Sequence, residues 1–338
     1  MIVIGLLIIA IGAFCQASCY VPINKVKSWN WESYWIVQGV FAWLLLPFLG
    51  TLLALPEGKT IGDFYDLMVE HSDDTLMTMF FGALWGIGGL TFGLSMRYLG
   101  VALGQSIALG TCAGLGTILT PLFTGHMDSL TTPVLVGVGV TLLGIAIIGV
   151  AGHMKSSSLS EAEKKAAIKD FSFGKGIAVA LLCGFMSACF SIGLGYGENI
   201  AFADSNPMFR TLPATFIVTI GGFITNFIYC IQQNVANKSF GDYAQGSVWL
   251  NNLAFCGLAG FLWYSQFFGL SLGKGFLADS PVLIAFSWCI LMALNVTFSN
   301  VWGVILREWR GCSKETIVVL VIGLAVLIVS SFLPQLLL

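Results

Sequence analysis

The chain alternates long apolar runs with short polar gaps. A helix that crosses a bilayer needs about 20 apolar residues, and ten runs qualify, over approximately residues 2–21, 34–55, 76–97, 101–123, 133–152, 175–197, 212–232, 251–272, 280–302 and 316–337. These runs occupy nearly the whole chain and leave no soluble domain to be placed. The pattern therefore predicts an all-α integral membrane protein with ten transmembrane helices.

Lysine and arginine are unevenly distributed among the nine gaps. In chain order the gaps hold 2, 1, 1, 0, 5, 1, 1, 1 and 3 of them, which accounts for all 15, and 12 of these lie in odd-numbered gaps. Short loops rich in Lys and Arg stay on the cytoplasmic side of the membrane. The distribution therefore predicts that the odd-numbered gaps are cytoplasmic and that both termini are external.

A tetrapeptide, Phe-Gly-Leu-Ser, occurs at residues 92–95 and again at residues 268–271, and each copy follows a tryptophan, Trp85 or Trp263. The two copies fall on the third and eighth predicted spans, which are equivalent positions in two five-helix halves. A half with five helices reverses its orientation when it is repeated. The sequence thus predicts two inverted repeats, residues 1–152 and 175–338, with a cytoplasmic linker at 153–174 that holds a short amphipathic helix.

The third predicted span also carries a row of glycines. Gly82, Gly86, Gly89 and Gly93 recur at spacings of four, three and four. On a helix this spacing leaves a bare groove, which lets neighbouring backbones approach closely inside a membrane.

Composition and charge narrow the function classes. The chain is 57% hydrophobic and 9% charged, with a mean hydropathy of +0.89 and a formal net charge of −2. It has no basic patch, so a nucleic-acid partner is not expected, and no obligate protein partner is evident. Residues 1–20 lack the basic n-region and cleavage pattern of a signal peptide and are interpreted as the first span.

Cysteine and histidine usage argues against a metal site. Eight of the nine cysteines lie within apolar runs, no CxxC pair occurs, and there are only three histidines. Tetrahedral zinc spacing is therefore absent, and the cysteines are expected to pack as small apolar residues. We expect no cofactor.

Polar and aromatic residues inside the spans are the candidates for a binding site, because polar groups in a membrane face a cavity or another helix. Neutral amides, hydroxyls and indoles suit an uncharged polyhydroxylated solute. The alternative is hydrogen bonding and packing between helices. Tryptophans at span ends, Trp35 among them, are assigned to the interfacial belt. The candidate substrate-binding residues are Gln16, Tyr20, Trp85, Gln105, Asn226, Trp263, Tyr264, Gln266, Trp288 and Asn295.

Coupling to an ion gradient requires a titratable group. Glu198 is the one acidic residue that could lie within a span, at the outer end of the sixth, where burial would favour its protonated form. It could equally be the first residue of an outer loop. Asp279, at the outer mouth of the ninth span, is the second candidate.

Several blocks of sequence are distinctive: the run from Tyr20 to Glu32, GALWGIG from Gly82, MRYLG from Met96, TPLFTG from Thr120, LWYSQFF from Leu262 and LREW from Leu306. Together they resemble the bacterial L-rhamnose/proton symporter family of the drug/metabolite transporter superfamily. The resemblance covers both halves and nearly all ten spans, and it implies an inner-membrane protein that imports L-rhamnose with protons. Residues 191–200 depart from the family pattern, which bears most on Glu198.

The sequence as a whole is interpreted as a secondary active transporter that works by alternating access and draws on a proton gradient. Coupling to sodium, or transport of another small sugar or polyol such as L-fucose, stays open. A passive channel would not need two related halves. An integral membrane enzyme would need a cluster of catalytic carboxylates, histidines or metal ligands, which this sequence does not show.

Overall fold

A computed structural model of the protein describes residues 1–99, 101–158, 172–306 and 309–337, and it leaves out the side chains of residues 96, 97, 101–103, 105, 156 and 173. The described residues form helices and no strands. The α-helices are α1 Ile2–Ser18, α2 Tyr20–Ile23, α3 Trp31–Gly39, α4 Leu46–Ala54, α5 Ile61–Glu70, α6 Ser72–Leu99, α7 Val101–Thr124, α8 Thr132–Ser157, α9 Phe173–Gly197, α10 Leu212–Asn237, α11 Gly246–Phe276, α12 Pro281–Ile305, α13 Lys314–Ser330 and α14 Leu333–Leu336.

Nine helical stretches in this part of the chain are long and apolar enough to cross a membrane. They correspond to the first nine predicted spans, with α1 and α2 forming one stretch and α3 and α4 another. The tenth predicted segment forms α13, whose 17 residues extend about 26 Å at the α-helical rise. The all-α membrane class is confirmed, and the count of ten stays a prediction.

The helix formed by α3 and α4 is interrupted by a π-helical turn, Val40–Leu45. Pro47 lies four residues after Trp43 and has no N–H to donate to the Trp43 carbonyl. The ladder loosens at this point, and the Leu46 N–H reaches back five residues to the Phe41 carbonyl. Such turns are rare and often lie at functional sites.

The chain forms two compact units. The first contains Met1–Gly86 and Gly193–Phe276, and the second contains Ile87–Ile192 and Leu277–Leu338. Each unit takes residues from both predicted repeats. In addition, α6 and α9 each contribute residues to both units. Compactness does not test internal relatedness, so the inverted repeat stays a prediction. Residues 159–171 of the predicted linker helix lie outside the described residues.

Close helix packing in the first unit depends on glycine. A Cβ at Gly12 of α1 would lie 2.9 Å from the Ser265 carbonyl oxygen of α11, and Gly82 and Gly86 of α6 lie directly against α10. Among the described residues no heavy atom outside the local backbone lies within 4 Å of a Cβ built at Gly89 or Gly93. The predicted glycine groove is therefore used over its first two glycines.

The second unit packs α8 against α13 and α7. A Cβ at Gly323 of α13 would lie 2.6 Å from the Ile148 side chain, which indicates a close crossing. Beside it, the Thr141 hydroxyl donates to the Ser330 hydroxyl across 2.9 Å. A hydroxyl pair of this kind links helices where water cannot reach.

Candidate functional site

Four indole rings meet in the first unit and form a cluster that we term the tryptophan cage: Trp35, Trp43, Trp85 and Trp263. The Trp43 ring is at the centre, with ring centroids 5.7 Å from Trp35, 5.8 Å from Trp85 and 6.0 Å from Trp263. Trp85 and Trp263, which the sequence singled out as a pair, lie 5.6 Å apart. Three of these four pairs meet edge to face, which the aromatic quadrupole favours.

Each ring of the cage comes from a different helical element. Trp35 lies on α3, Trp43 on the π-helical turn, Trp85 on α6 and Trp263 on α11. Glycines make room for the rings, because a Cβ at Gly39 would lie 2.6 Å from the Trp43 ring and one at Gly222 would collide with Trp85. The cage is thus held by backbone packing on several sides.

Asn226 fixes the orientation of the cage from α10. Its side chain is 2% exposed, and its Oδ1 accepts a hydrogen bond from Trp35 Nε1 at 2.9 Å. Its Nδ2 donates to the Gly222 carbonyl at 2.8 Å and to the Gly86 carbonyl at 3.3 Å. The amide that the sequence assigns to substrate therefore also positions Trp35.

Several other polar atoms in the first unit have no hydrogen-bond partner among the described residues. Trp43 is 3% exposed, and its Nε1 has no hydrogen-bond partner in the described part of the chain. The same holds for the buried Tyr264 hydroxyl, which lies against Gly50, and for Oε1 of Gln38 and of Gln16. An unpaired buried polar group costs about 1–3 kcal/mol. These groups are therefore suited to hydrogen-bond a polar ligand.

The remaining predicted binding residues are spread across the chain. Gln266 is buried and donates to the Trp263 carbonyl at 3.2 Å, whereas Tyr20 is exposed. In the second unit, Trp288 donates to the Cys112 carbonyl at 3.3 Å and stacks on Phe190. Asn295 is buried in the second unit, and the Gln105 side chain lies outside the described residues.

The two predicted coupling residues are both exposed. Glu198 follows the last residue of α9, its side chain is 57% exposed, and its Oε1 lies 3.8 Å from Lys274 Nζ. Asp279 lies between α11 and α12 and is also exposed. The burial that motivated the choice of Glu198 is absent, so a coupling role for either residue stays a prediction without that support.

The sequence analysis predicted the second span but assigned no binding residue to it. Trp35, which the sequence assigns to the interfacial belt, packs its ring on Trp43 and donates its N–H to Asn226. It therefore has a role in the first unit, and the belt assignment stays a prediction. Trp35 and Trp43 are eight residues apart, which is about two helical turns. That spacing, together with Gln38 in an apolar run, is the signal that could have identified this face.

In the described residues no group of three or more His, Cys, Asp or Glu side chains is placed to hold a metal ion.

The tryptophan cage is built from aromatic rings and neutral hydrogen-bonding groups. Such a surface can cover the C–H face of a sugar ring and hydrogen-bond its hydroxyls.

Comparison with known proteins gives concordant matches over nearly the full chain. A family model described as L-rhamnose-proton symport protein (RhaT) matches residues 1–336. L-rhamnose-proton symporters of Yersinia pestis (strain Pestoides F) and Yersinia pseudotuberculosis serotype O:1b (strain IP 31758) are each 34% identical over 345 residues. Those alignments cover 98% of this chain and 96% of each relative.

Proposed function

Because the chain belongs to the L-rhamnose-proton symport protein family, we propose that it imports L-rhamnose together with protons across the bacterial inner membrane. It works as a secondary active transporter by alternating access. The proton gradient supplies the free energy, and the activity is transport and not catalysis. Besides the family match, the observation that supports this proposal is the tryptophan cage with its unpaired buried polar atoms.

L-rhamnose is an uncharged 6-deoxyhexose with one apolar end, its methyl group, and hydroxyls around the ring. The proposal places the methyl group and C–H face against the indoles of the cage. The hydroxyls then bond to Trp43 Nε1, the Tyr264 hydroxyl and the oxygens of Gln16 and Gln38. A neutral site of this kind favours a neutral sugar, because burying a charge there without a partner is costly.

The proposal keeps Gln105, Trp288 and Asn295 as substrate contacts, because they are polar or aromatic residues within or at the start of predicted spans. Tyr20 and Gln266 are weaker members, since Tyr20 is exposed and the Gln266 amide donates to a backbone carbonyl. Asn226 acts by orienting Trp35.

The test is uptake of radiolabelled L-rhamnose into proteoliposomes with an imposed pH gradient, alkaline inside. For one proton per sugar, one pH unit supports at most about tenfold accumulation. We expect accumulation that a protonophore abolishes and that a sodium gradient does not replace. Accumulation driven by sodium, preference for L-fucose in competition, or equilibration without accumulation would each contradict the proposal.

A further inference from the structure

A buried network of polar side chains lies at the start of α3 in the first unit, around two carboxylates. Glu32 is 0% exposed and Asp242 is 6% exposed. Glu32 Oε1 accepts hydrogen bonds from the Ser239 hydroxyl at 2.6 Å and from Asn237 Nδ2 at 3.0 Å. Asp242 is held at its Oδ2 by the Asn30 N–H at 2.7 Å, Asn30 Nδ2 at 3.0 Å and the Ser33 hydroxyl at 2.8 Å, and at its Oδ1 by Gln245 Nε2 at 3.3 Å.

Throughout the described residues, neither carboxylate has an ion-pair partner within 4 Å. Glu32 Oε2 is buried without a hydrogen-bond partner in the same part of the chain. Lys238, between the two donors Asn237 and Ser239, is exposed. The other titratable side chains around the pair are of types that are neutral at neutral pH: Tyr34 on α3, Cys230 on α10, Tyr243 between α10 and α11, and Cys256 on α11.

Opposing effects act on the charge of Glu32. Burial and the negative charge of Asp242 disfavour the carboxylate form. The two donated hydrogen bonds and the amino-terminal end of α3 favour it. All of these effects come from groups around Glu32, so a rearrangement of those groups changes how tightly it holds a proton. A group that must bind and release one proton in each transport cycle requires this property.

The network is linked to the tryptophan cage through two helices. Glu32 lies three residues before Trp35 on α3. Asn226, Cys230 and Asn234 follow one another at four-residue steps on α10, and all three are buried. Asn226 holds Trp35 at one end of this row. At the other end, Asn234 Oδ1 lies 3.3 Å from the Ser33 hydroxyl and 3.2 Å from the Ser239 hydroxyl.

The two serine hydroxyls provide a local switch. Each has one proton and two acceptors within reach, a carboxylate and Asn234 Oδ1, and each lies closer to the carboxylate. When Glu32 is neutral it becomes a weaker acceptor, and the Ser239 hydroxyl can turn to Asn234. Protonation would therefore alter the hydrogen bonds of the helix that positions the cage.

We propose that Glu32 carries the coupled proton and that Asp242 sets how tightly it is held. In the cycle an O–H bond forms at Glu32 Oε2 with a proton taken from water on one side of the membrane. The same bond breaks when the proton passes to water on the other side. This inference rests on the proposed symport function and names the group that performs it.

The experiment compares two activities of the purified, reconstituted protein. Counterflow of labelled L-rhamnose without a pH gradient measures sugar exchange, and accumulation under a pH gradient measures coupling. For Glu32→Gln we expect counterflow to persist, the accumulation ratio to fall to one, and sugar-induced proton uptake to vanish. Asp242→Asn should still accumulate sugar, with half-maximal uptake moved to lower pH. Asp66→Asn, an exposed acid on α5, is the matched control and should match the wild-type protein.

Several outcomes would overturn the assignment. One is wild-type accumulation and proton uptake in Glu32→Gln; another is loss of counterflow in a Glu32→Gln protein that folds normally by size-exclusion chromatography. Loss of coupling in Glu198→Gln alone would return the role to Glu198. If Glu32→Gln does not fold, Glu32→Asp must stay coupled at a reduced rate and Asp242→Asn must shift the pH profile. A wild-type protein without L-rhamnose counterflow would instead refute the proposed function itself.

Discussion

At the scale of single residues, two indole N–H groups of the cage differ in whether they have a partner. Trp35 donates to Asn226, whereas Trp43 has no acceptor among the described residues. For Trp43→Phe we expect apparent affinity for L-rhamnose to fall about fivefold, because one hydrogen bond is worth about 1 kcal/mol. The smaller ring also leaves unfilled space at the centre of the cage, so we expect the thermal stability of the variant in detergent to fall. Uptake kinetics and unfolding curves measure the two effects.

Trp35→Phe is the paired control, since the same atoms are removed from a partnered indole. It leaves Asn226 Oδ1 without its donor, so we expect destabilisation of about 1–3 kcal/mol. If Trp43→Phe leaves the apparent affinity unchanged, then the Trp43 N–H does not bond to the sugar and the proposed contact is wrong.

At the scale of helical elements, the glycine row of α6 separates into used and unused positions. A Cβ at Gly86 would lie 2.8 Å from Thr225 Cβ and 2.9 Å from the Gly222 carbonyl oxygen, whereas one at Gly89 meets no described atom within 4 Å outside its local backbone. We expect Gly86→Ala to lower the unfolding temperature and transport activity, because α6 and α10 must move apart. Gly89→Ala should resemble the wild-type protein in both measurements. Equal effects of the two substitutions would mean that close packing against α10 is not the reason why glycine is needed at position 86.

Span positions were predictable because they depend on runs of apolar residues long enough to cross a bilayer. The predicted run 175–197 and the helix Phe173–Gly197 agree closely. The π-helical turn was not predictable, since it depends on how the backbone hydrogen bonds around Pro47 rearrange when the helix packs against its neighbours. Trp85, Trp263 and Asn226 were found as polar or aromatic residues in apolar runs. Glu32 was missed because its span was predicted to begin two residues after it.

Sequence also cannot tell whether a polar atom is already satisfied. Asn226 and Trp43 both lie buried in apolar surroundings, yet the first uses its amide on backbone carbonyls and Trp35 while the second leaves its N–H unpaired. The difference arises from helix packing, which brings the Gly86 carbonyl and the Trp35 N–H within reach of Asn226. A list of polar residues within spans therefore contains both binding and positioning groups.

At the scale of the whole molecule, repeated letters do not have repeated surroundings. Gly269, in the second Phe-Gly-Leu-Ser copy, packs on α1, where its Cβ would lie 3.1 Å from the Ile8 carbonyl oxygen. Gly93, in the first copy, has no described atom that close. The two copies therefore differ in what each helix packs against, and the inverted repeat stays a prediction. Two copies of a repeat can share the same order of helices and still pack against different neighbours.

Orientation is the whole-molecule property on which the direction of proton release depends. The charge distribution predicts that the first gap, with Lys25, is cytoplasmic and that the second gap, with Glu57, is external. One spanning stretch, Trp31–Ala54, separates them. In a Cys312→Ser background, where the other cysteines lie within helices or are buried, Glu57→Cys should react with a membrane-impermeant maleimide in intact cells. Lys25→Cys should react only after permeabilisation.

The opposite labelling pattern would place the termini inside and reverse the sidedness of the carboxylate network. Glu32 and Asp242 lie next to the first gap and to the segment between α10 and α11, both of which the charge count assigns to the cytoplasm. With that orientation, Glu32 lies at the end of the transporter from which a coupled proton must leave during import. Its proton would then be released to the cytoplasm after the sugar-binding cage has been loaded from outside, which is the order that uphill import requires.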